Sequence, residues 1–273
     1  VAVGYQALTT QNAGADAYNV AVGYNAGTAV TTGIYNTLIG GEVAITLTTG
    51  EKNTALGYRA LYSNADGDNN TAIGYRALYS MDPSGNADMY NVAVGHDAGL
   101  SVTTGTKNSL IGGLAGDALT TGNHNVAIGY EALSSETQGD RNIAIGALAL
   151  KNQNNTSDTD VYNVAVGHNA GLTMTTGVRN AILGGLAGDA LTTGGRNVAI
   201  GYSALSTEDA GSYNTAVGYN ALRDQDAGDA YNTAIGYNSG VSVTSGVQNT
   251  IVGGLAGDAI TDGDSNIVIG YDS

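Results

Sequence analysis

An Asn followed three residues later by an aliphatic residue and four residues later by Gly recurs along the whole chain, and successive copies start almost always seventeen residues apart. The motif asparagines are Asn19, Asn36, Asn53, Asn70, Asn91, Asn108, Asn125, Asn142, Asn163, Asn180, Asn197, Asn214, Asn232, Asn249 and Asn266. The gaps run 17, 17, 17, 21, then 17, 17, 17, 21, then 17, 17, 17, 18, then 17 and 17. Residues 1–4 enter just after the Asn slot of a further copy, which makes sixteen. Four copies form a super-repeat of 72, 72 and 69 residues, with starts at 19, 91, 163 and 232. Self-similarity at a short fixed period marks a solenoid, in which one unit cannot bury its own apolar face and stacks on its neighbours. Seventeen residues are too few for a helix pair and suit one β-coil. The expected fold is therefore all-β, a parallel β-solenoid of about 17 residues per rung, forming one repetitive segment over residues 1–273. Neither end shows the atypical repeat that caps an isolated solenoid, so the sequence reads as an excerpt of a longer fibre.

Composition agrees with an ordered repetitive β protein. Gly contributes 42 residues and Tyr 17, with one Pro and no Cys, Trp or Phe, a mixture neither collagen-like in period nor poor enough in aliphatics for disorder. The absence of Cys removes disulfides and thiolate chemistry. A net charge of −15, with nine scattered Lys and Arg, argues against binding nucleic-acid backbones. No apolar run approaches the length that crosses a membrane.

Each position of a rung, counted from Asn as zero, has its own character. The third is always aliphatic, as at Val3, Val22, Ile39, Leu56, Ile128 and Ile200, and is expected to form an internal ladder at the strand spacing of about 4.8 Å. The first is mostly β-branched and shares its face. The second is mostly Ala, but Leu38, Leu110, Ile182 and Ile251 occupy it in the second rung of each super-repeat. A strand apolar on both faces wants both covered, and the face bearing Ala21, Ala93 and Leu110 is expected to look for another copy of the chain. Gly fills the fourth position sixteen times, which suggests a corner with positive φ or close backbone approach. Beyond it, rungs have either Gly at the eighth position with an aliphatic at the eleventh, or Leu at the eighth followed by a polar stretch. The Asn itself is expected to stack into a structural amide ladder.

The segments Asn-Val-Ala-Val-Gly-His at 91–96, Asn-Val-Ala-Ile-Gly-Tyr at 125–130 and Asn-Thr-Ala-Ile-Gly-Tyr at 70–75 resemble the head repeats of trimeric autotransporter adhesins of the YadA type. Related repeats occur in bacteriophage tail-fibre proteins. The resemblance covers all 273 residues and implies a left-handed parallel β-roll, three chains around one axis, with the second-position side chains at or near the trimer centre. The adhesin heads have shorter rungs than this chain. No coiled-coil stalk, anchor barrel or chaperone segment lies within these residues.

Chemistry-bearing motifs are sparse. The run Gly-Gly-Leu-Ala-Gly-Asp-Ala-Leu at 112–119 recurs at 184–191 and, ending in Ile, at 253–260, and is similar to a calcium-binding nonapeptide with one Gly replaced. Its copies lie four rungs apart, so Asp117, Asp189 and Asp258 cannot share an ion and read as solvated turn residues. His96 and His168 take the fifth position, where sister rungs carry Tyr24 and Tyr237, which indicates a tolerant surface slot, and His124 reads as exposed in a turn. Tyr58, Tyr75, Tyr130 and Tyr202 share that fifth position and either cover corners and subunit seams or present rings to sugars and proteins. The longer rungs, within 80–90 and 151–162, place Pro83 and Asp158 in insertions where binding specificity is often carried. Candidate surface-binding residues are thus Tyr58, Tyr75, His96, Tyr130, His168, Tyr202, Pro83 and Asp158. No base, nucleophile and carboxylate converge, so neither enzyme activity nor a cofactor or metal is expected. The expected role is a structural and adhesive segment of a homotrimeric extracellular fibre, on a cell surface or virion, meeting a host-cell surface protein or glycan. The alternative is a monomeric ligand-binding solenoid that takes calcium or ice. Paired threonines such as Thr31-Thr32 and Thr120-Thr121 suggest the latter, but they are missing from half the rungs of most super-repeats.

Overall fold

A computed structural model describes residues 1–14 and 16–273. They fall into two compact units, residues 1–140 with 156–158, and residues 141–155 with 159–273. The turns are those of an all-β parallel solenoid, about sixteen in the chain with a repeat near seventeen residues, and no helix occurs among the described residues.

The first unit contains β1 (Ala2–Val3), β2 (Val20–Val22), β3 (Thr37–Ile39), β4 (Thr54–Leu56), β5 (Gly67–Asp68), β6 (Thr71–Ile73), β7 (Ala87–Asp88), β8 (Val92–Val94), β9 (Ser109–Ile111) and β10 (Val126–Ile128). The second contains β11 (Ile143–Ile145), β12 (Val164–Val166), β13 (Ala181–Leu183), β14 (Val198–Ile200), β15 (Thr215–Val217), β16 (Thr233–Ile235), β17 (Thr250–Val252) and β18 (Ile267–Ile269). Within each unit the motif strands pair in parallel with like position opposite like, as in Ala93↔Leu110 and Ile182↔Ala199. β5 and β7 form a separate parallel pair where a long rung leaves the common path.

Strand alternation then decides what lies inside. In the three-residue strands from β2 to β17 the middle residue is buried and its neighbours are half-buried or exposed. The second position therefore faces the coil interior, and the first and third face outward. This reverses the sequence expectation that the third-position aliphatics form the internal ladder and that the Ala21, Ala93 and Leu110 face seeks a partner. The physical reason is room. A coil this narrow admits Ala at that point, and it admits Leu or Ile only where glycine stands opposite.

The two rung types follow from the same constraint. A methyl on Gly99 would sit 2.7 Å from Leu110 Cδ1, and one on Gly116 would sit 2.8 Å from Leu110 Cδ2. Leu110 thus fills space that two glycines at the eighth position leave open. In the third and fourth rungs of a super-repeat, where the second position is Ala, the eighth is instead a buried Leu, as at Leu61, Leu78, Leu133, Leu150, Leu205 and Leu222. In the first rung Ala21, Ala93, Ala165 or Ala234 goes with an eighth-position glycine, against which the Leu or Ile of the following rung packs. The eighth-position leucines turn with φ between 47° and 54°, in the left-handed region that non-glycine residues seldom enter. This layer of the core thus takes its large group either from the eighth position of a rung or from the second position of a rung whose eighth-position neighbours are small.

The corner glycine and the asparagine fix the repeat. Gly112 has φ of 136°, and a Cβ there would lie 2.4 Å from the carbonyl oxygen of Gly129 in the next turn. Only glycine fits both conditions. Each motif Asn links its own turn to the adjacent one. Asn180 N–H donates to Asn163 Oδ1 at 2.9 Å, its Nδ2 donates to the Gly194 carbonyl at 2.9 Å, and its Oδ1 accepts from Asn197 N–H at 2.9 Å. The amide ladder expected from the sequence is present and buried.

Candidate interaction surfaces

The outward side of the motif strands is an aliphatic strip in each unit. Leu56 and Ile235 are 44% and 42% exposed, and Ile39, Ile111, Val166, Leu183 and Ile200 lie between 36% and 39%. Aliphatic groups repeated at every turn, some exposed and others half-buried such as Val22, Ile73 and Ile128, make an apolar strip of the kind that marks an interaction surface.

Aromatic columns border the strip. At the fifth position Tyr58 stacks on Tyr75 with centroids 5.8 Å apart, and Tyr75 stacks on His96 at 5.0 Å. In the second unit Tyr202 stacks on Tyr219 at 5.6 Å and Tyr219 on Tyr237 at 5.4 Å. The residue preceding the motif Asn forms another column on the other side of the strand, where Tyr18 meets Tyr35 at 5.5 Å and Tyr213 meets Tyr231 at 4.7 Å. Parallel stacking turns the ring faces toward one another and leaves their edges to solvent, so the stacked rings offer little face to a sugar.

Charges beside the first column are largely matched. Arg59 Nε donates to Glu42 Oε2 at 2.6 Å, and its guanidinium lies 5.0 Å from the Tyr58 ring centre and 5.3 Å from that of Tyr62. Arg76 holds Asp97 bidentately at 2.9 and 2.6 Å, while His96 Nδ1 lies 3.4 Å from the same carboxylate. The hydrogen bond from Arg59 lowers the Glu42 pKa, whereas burial raises that of Tyr58.

The structure brings Tyr58, Tyr75 and His96 into one stack and puts Tyr202 in another, with Tyr130 and His168 exposed at the same rung position. Asp158 is exposed and accepts a hydrogen bond from Thr121 Oγ1 at 2.9 Å. Pro83 departs from expectation because it is buried. Its insertion folds over the turn below, where a methyl on Gly67 would meet Pro83 Cγ at 2.9 Å, so the ring packs inward and is withheld from any partner.

The first threonine of each pair is drawn out of any open hydroxyl array, while Thr32, Thr104 and Thr176 stay exposed. Thr31, Thr103, Thr120 and Thr175 turn their hydroxyls onto the carbonyls of Thr48, Thr120, Thr137 and Thr192 in the adjacent turn, at 3.2, 3.2, 2.9 and 3.1 Å. Asp117 and Asp189 are half-buried, with one carboxylate oxygen of each lacking a hydrogen-bond partner, and burial raises both pKa values. Among the described residues, no three or more His, Cys, Asp and Glu side chains converge to hold a metal ion.

Sequence reasoning missed a polar core. After most eighth-position leucines the polar stretch turns inward at the eleventh position, where Asn64, Glu136, Gln153, Glu208 and Gln225 are all fully buried, while Met81 takes that slot after Leu78. Glu208 Oε1 accepts from Gly211 N–H at 2.7 Å, its Oε2 accepts from Gln225 Nε2 at 2.8 Å, and Gln225 Oε1 accepts from Asn232 Nδ2 at 2.9 Å. The only available signal was positional, since these residues occupy the slot that Val30, Leu47, Val102 and Leu119 fill in the other rung type.

No helix of the described residues is long and apolar enough to cross a membrane. No protein-family model, curated protein or solved structure matches the chain.

Proposed function

We propose that the chain is a structural and adhesive segment of a homotrimeric extracellular fibre, on a cell surface or a virion, whose copies pack through the outward aliphatic strip. The observation that carries this reading is the burial pattern of the strands. The third-position Val, Ile and Leu side chains stand outside the coil, whose interior is filled by other side chains such as Leu61, Leu110 and Leu119. Exposing such a strip at every turn costs about 25 cal/mol for each Å² of apolar surface left wet, and association with like chains removes that cost. Cyclic symmetry allows it, because chains with parallel axes present the same strip at the same height around a closed ring. Adhesion to a host-cell protein or glycan then falls to the surfaces turned away from the strip, among them the exposed insertion bearing Asp158.

Replacing Leu183 and Ile200 by Asp tests the assignment. Both side chains point outward, so the expected result is a folded solenoid with unchanged circular dichroism that sediments as a single chain. An assembly that keeps its mass with four such charges spread over Leu56, Leu183, Ile200 and Ile235 would sink the proposal.

A further inference from the structure

Glycine takes the place of a ring at the fifth position in four turns, at Gly41, Gly113, Gly185 and Gly254, always in the second rung of a super-repeat. Nothing in the fold requires it there. None of the four has positive φ, and an added Cβ would meet its nearest neighbour, a carbon of the following Tyr58, Tyr130, Tyr202 or Tyr271, at 3.4, 3.6, 3.6 or 3.5 Å. Those are ordinary contacts, unlike the clash at the adjacent corner glycine. Each gap is bounded by rings of the rungs on either side: Tyr24 and Tyr58, His96 and Tyr130, His168 and Tyr202, Tyr237 and Tyr271. The bounding rings are two rungs apart, about 9.6 Å. Within the columns one ring follows another at 5.0 to 5.8 Å, so each gap has the height of one missing ring.

The other side of the strand supplies a matching set. Tyr18, Tyr90, Tyr162 and Tyr231 precede the motif Asn of the first rung in each super-repeat, and all four are exposed, although Tyr18 and Tyr231 each stack one face on Tyr35 or Tyr213 and must turn out of that stack to enter a slot. Each lies 23 residues before one of the slot glycines. In a ring of chains packed through the strip, the border after the strand in one copy meets the border before the strand in the next, since the contact is heterologous. In each unit two rings and two gaps of equal period then face each other one rung apart, about 4.8 Å, which a tyrosine side chain spans.

We infer that the four glycine slots are inter-chain sockets, each seating the phenol ring of Tyr18, Tyr90, Tyr162 or Tyr231 from a second copy of the chain. This rests on the oligomeric reading above and adds to it what sets the register, since within each unit a ring seated in one slot aligns the other. A slot flanked by two rings accepts an aromatic group at the spacing aromatic pairs prefer.

The test compares four chains by sedimentation equilibrium across a dilution series: wild type, a filled variant with all four slot glycines changed to Tyr, a second variant with Tyr18, Tyr90, Tyr162 and Tyr231 changed to Ser, and the combination. Circular dichroism and hydrogen exchange of the diluted chains report whether the solenoid itself is intact. The expected result is a dissociation concentration raised about two- to twelve-fold per slot in either variant, with the combination no weaker than the worse of the two. A wild type that never assembles overturns the oligomeric reading and the sockets with it. A wild type that assembles, with the filled variant equally tight or the two sets of changes additive, overturns the sockets alone. Should the filled variant fail to fold, the serine variant decides by itself, and assembly as tight as wild type overturns the inference.

Discussion

Replacing Asn180 by Ala removes one rung of the amide ladder, and the cost can be worked from the side-chain hydrogen bonds it makes to backbone. The side chain is 1% exposed, so water does not take over its contacts. Loss of Oδ1 leaves Asn197 N–H without its 2.9 Å acceptor, and loss of Nδ2 leaves the Gly194 carbonyl without its 2.9 Å donor. A buried backbone group stripped of its partner costs about 1–3 kcal/mol, and two are stripped here. The contact from Nδ2 to Asn163 Oδ1, at 3.2 Å, is lost as well, though that oxygen keeps the Asn180 N–H. The expected loss is about 3–5 kcal/mol, set against about 0.5 kcal/mol or less for Thr176→Ala on the exposed surface. Long repeat arrays unfold turn by turn, so a global midpoint dilutes a local effect. Native-state hydrogen exchange read at the amides of Asn197 and Val198 is the appropriate assay, with urea unfolding as a second reading. A change below about 1 kcal/mol at those amides would refute the reasoning, because it would mean that the ladder's hydrogen bonds are replaced as readily as surface ones.

Gly112→Val should disrupt its turn outright, since φ of 136° excludes Val and the Gly129 carbonyl oxygen lies 2.4 Å from its Cβ, whereas Gly113→Ala next to it should leave thermal stability within about 0.5 kcal/mol. Leu110→Ala should cost about 2–5 kcal/mol in urea unfolding, and adding Gly116→Leu should recover much of that by converting the rung to the Ala-and-Leu type of Ala127 and Leu133. A double variant no more stable than the single one would contradict the size compensation. Burial raises the Glu208 pKa above its ordinary value of 4.5, so the folded state holds the proton more tightly than the unfolded one. Stability should therefore fall as pH rises from about 4.5 through the elevated folded-state value, and Glu208→Gln should flatten that part of the profile of melting temperature against pH. A wild-type profile that rises over the same interval would contradict this.

The solenoid was legible because the sequence repeats in a register that only stacked coils satisfy. Gly112 and Asn180 were legible for the same reason, since one residue type at one slot in turn after turn points to a backbone requirement. The inside of the strand was not. Val22 and Ile200 are bulkier than the intervening Ala, and bulk reports how apolar a face is without reporting which face the coil closes around. Pro83 was misplaced because an insertion in sequence need not protrude, and this one folds back onto Gly67. Glu208 and Gln225 escaped notice because burial of polar side chains depends on backbone groups such as Gly211 N–H being in place, which only the folded turn provides. The slot glycines carry no backbone signature and become visible only beside the ring stacks that skip them.

The central claim is that the outward aliphatic strip joins like chains, and the direct measurement is the solution mass of this chain by light scattering after refolding, repeated with Leu183→Asp and Ile200→Asp. The account predicts the mass of three chains for the wild type and of one folded chain for the variant. A wild-type solenoid that is stable as a single chain at every concentration would contradict it, and would make the strip a face that the fold leaves exposed on its own.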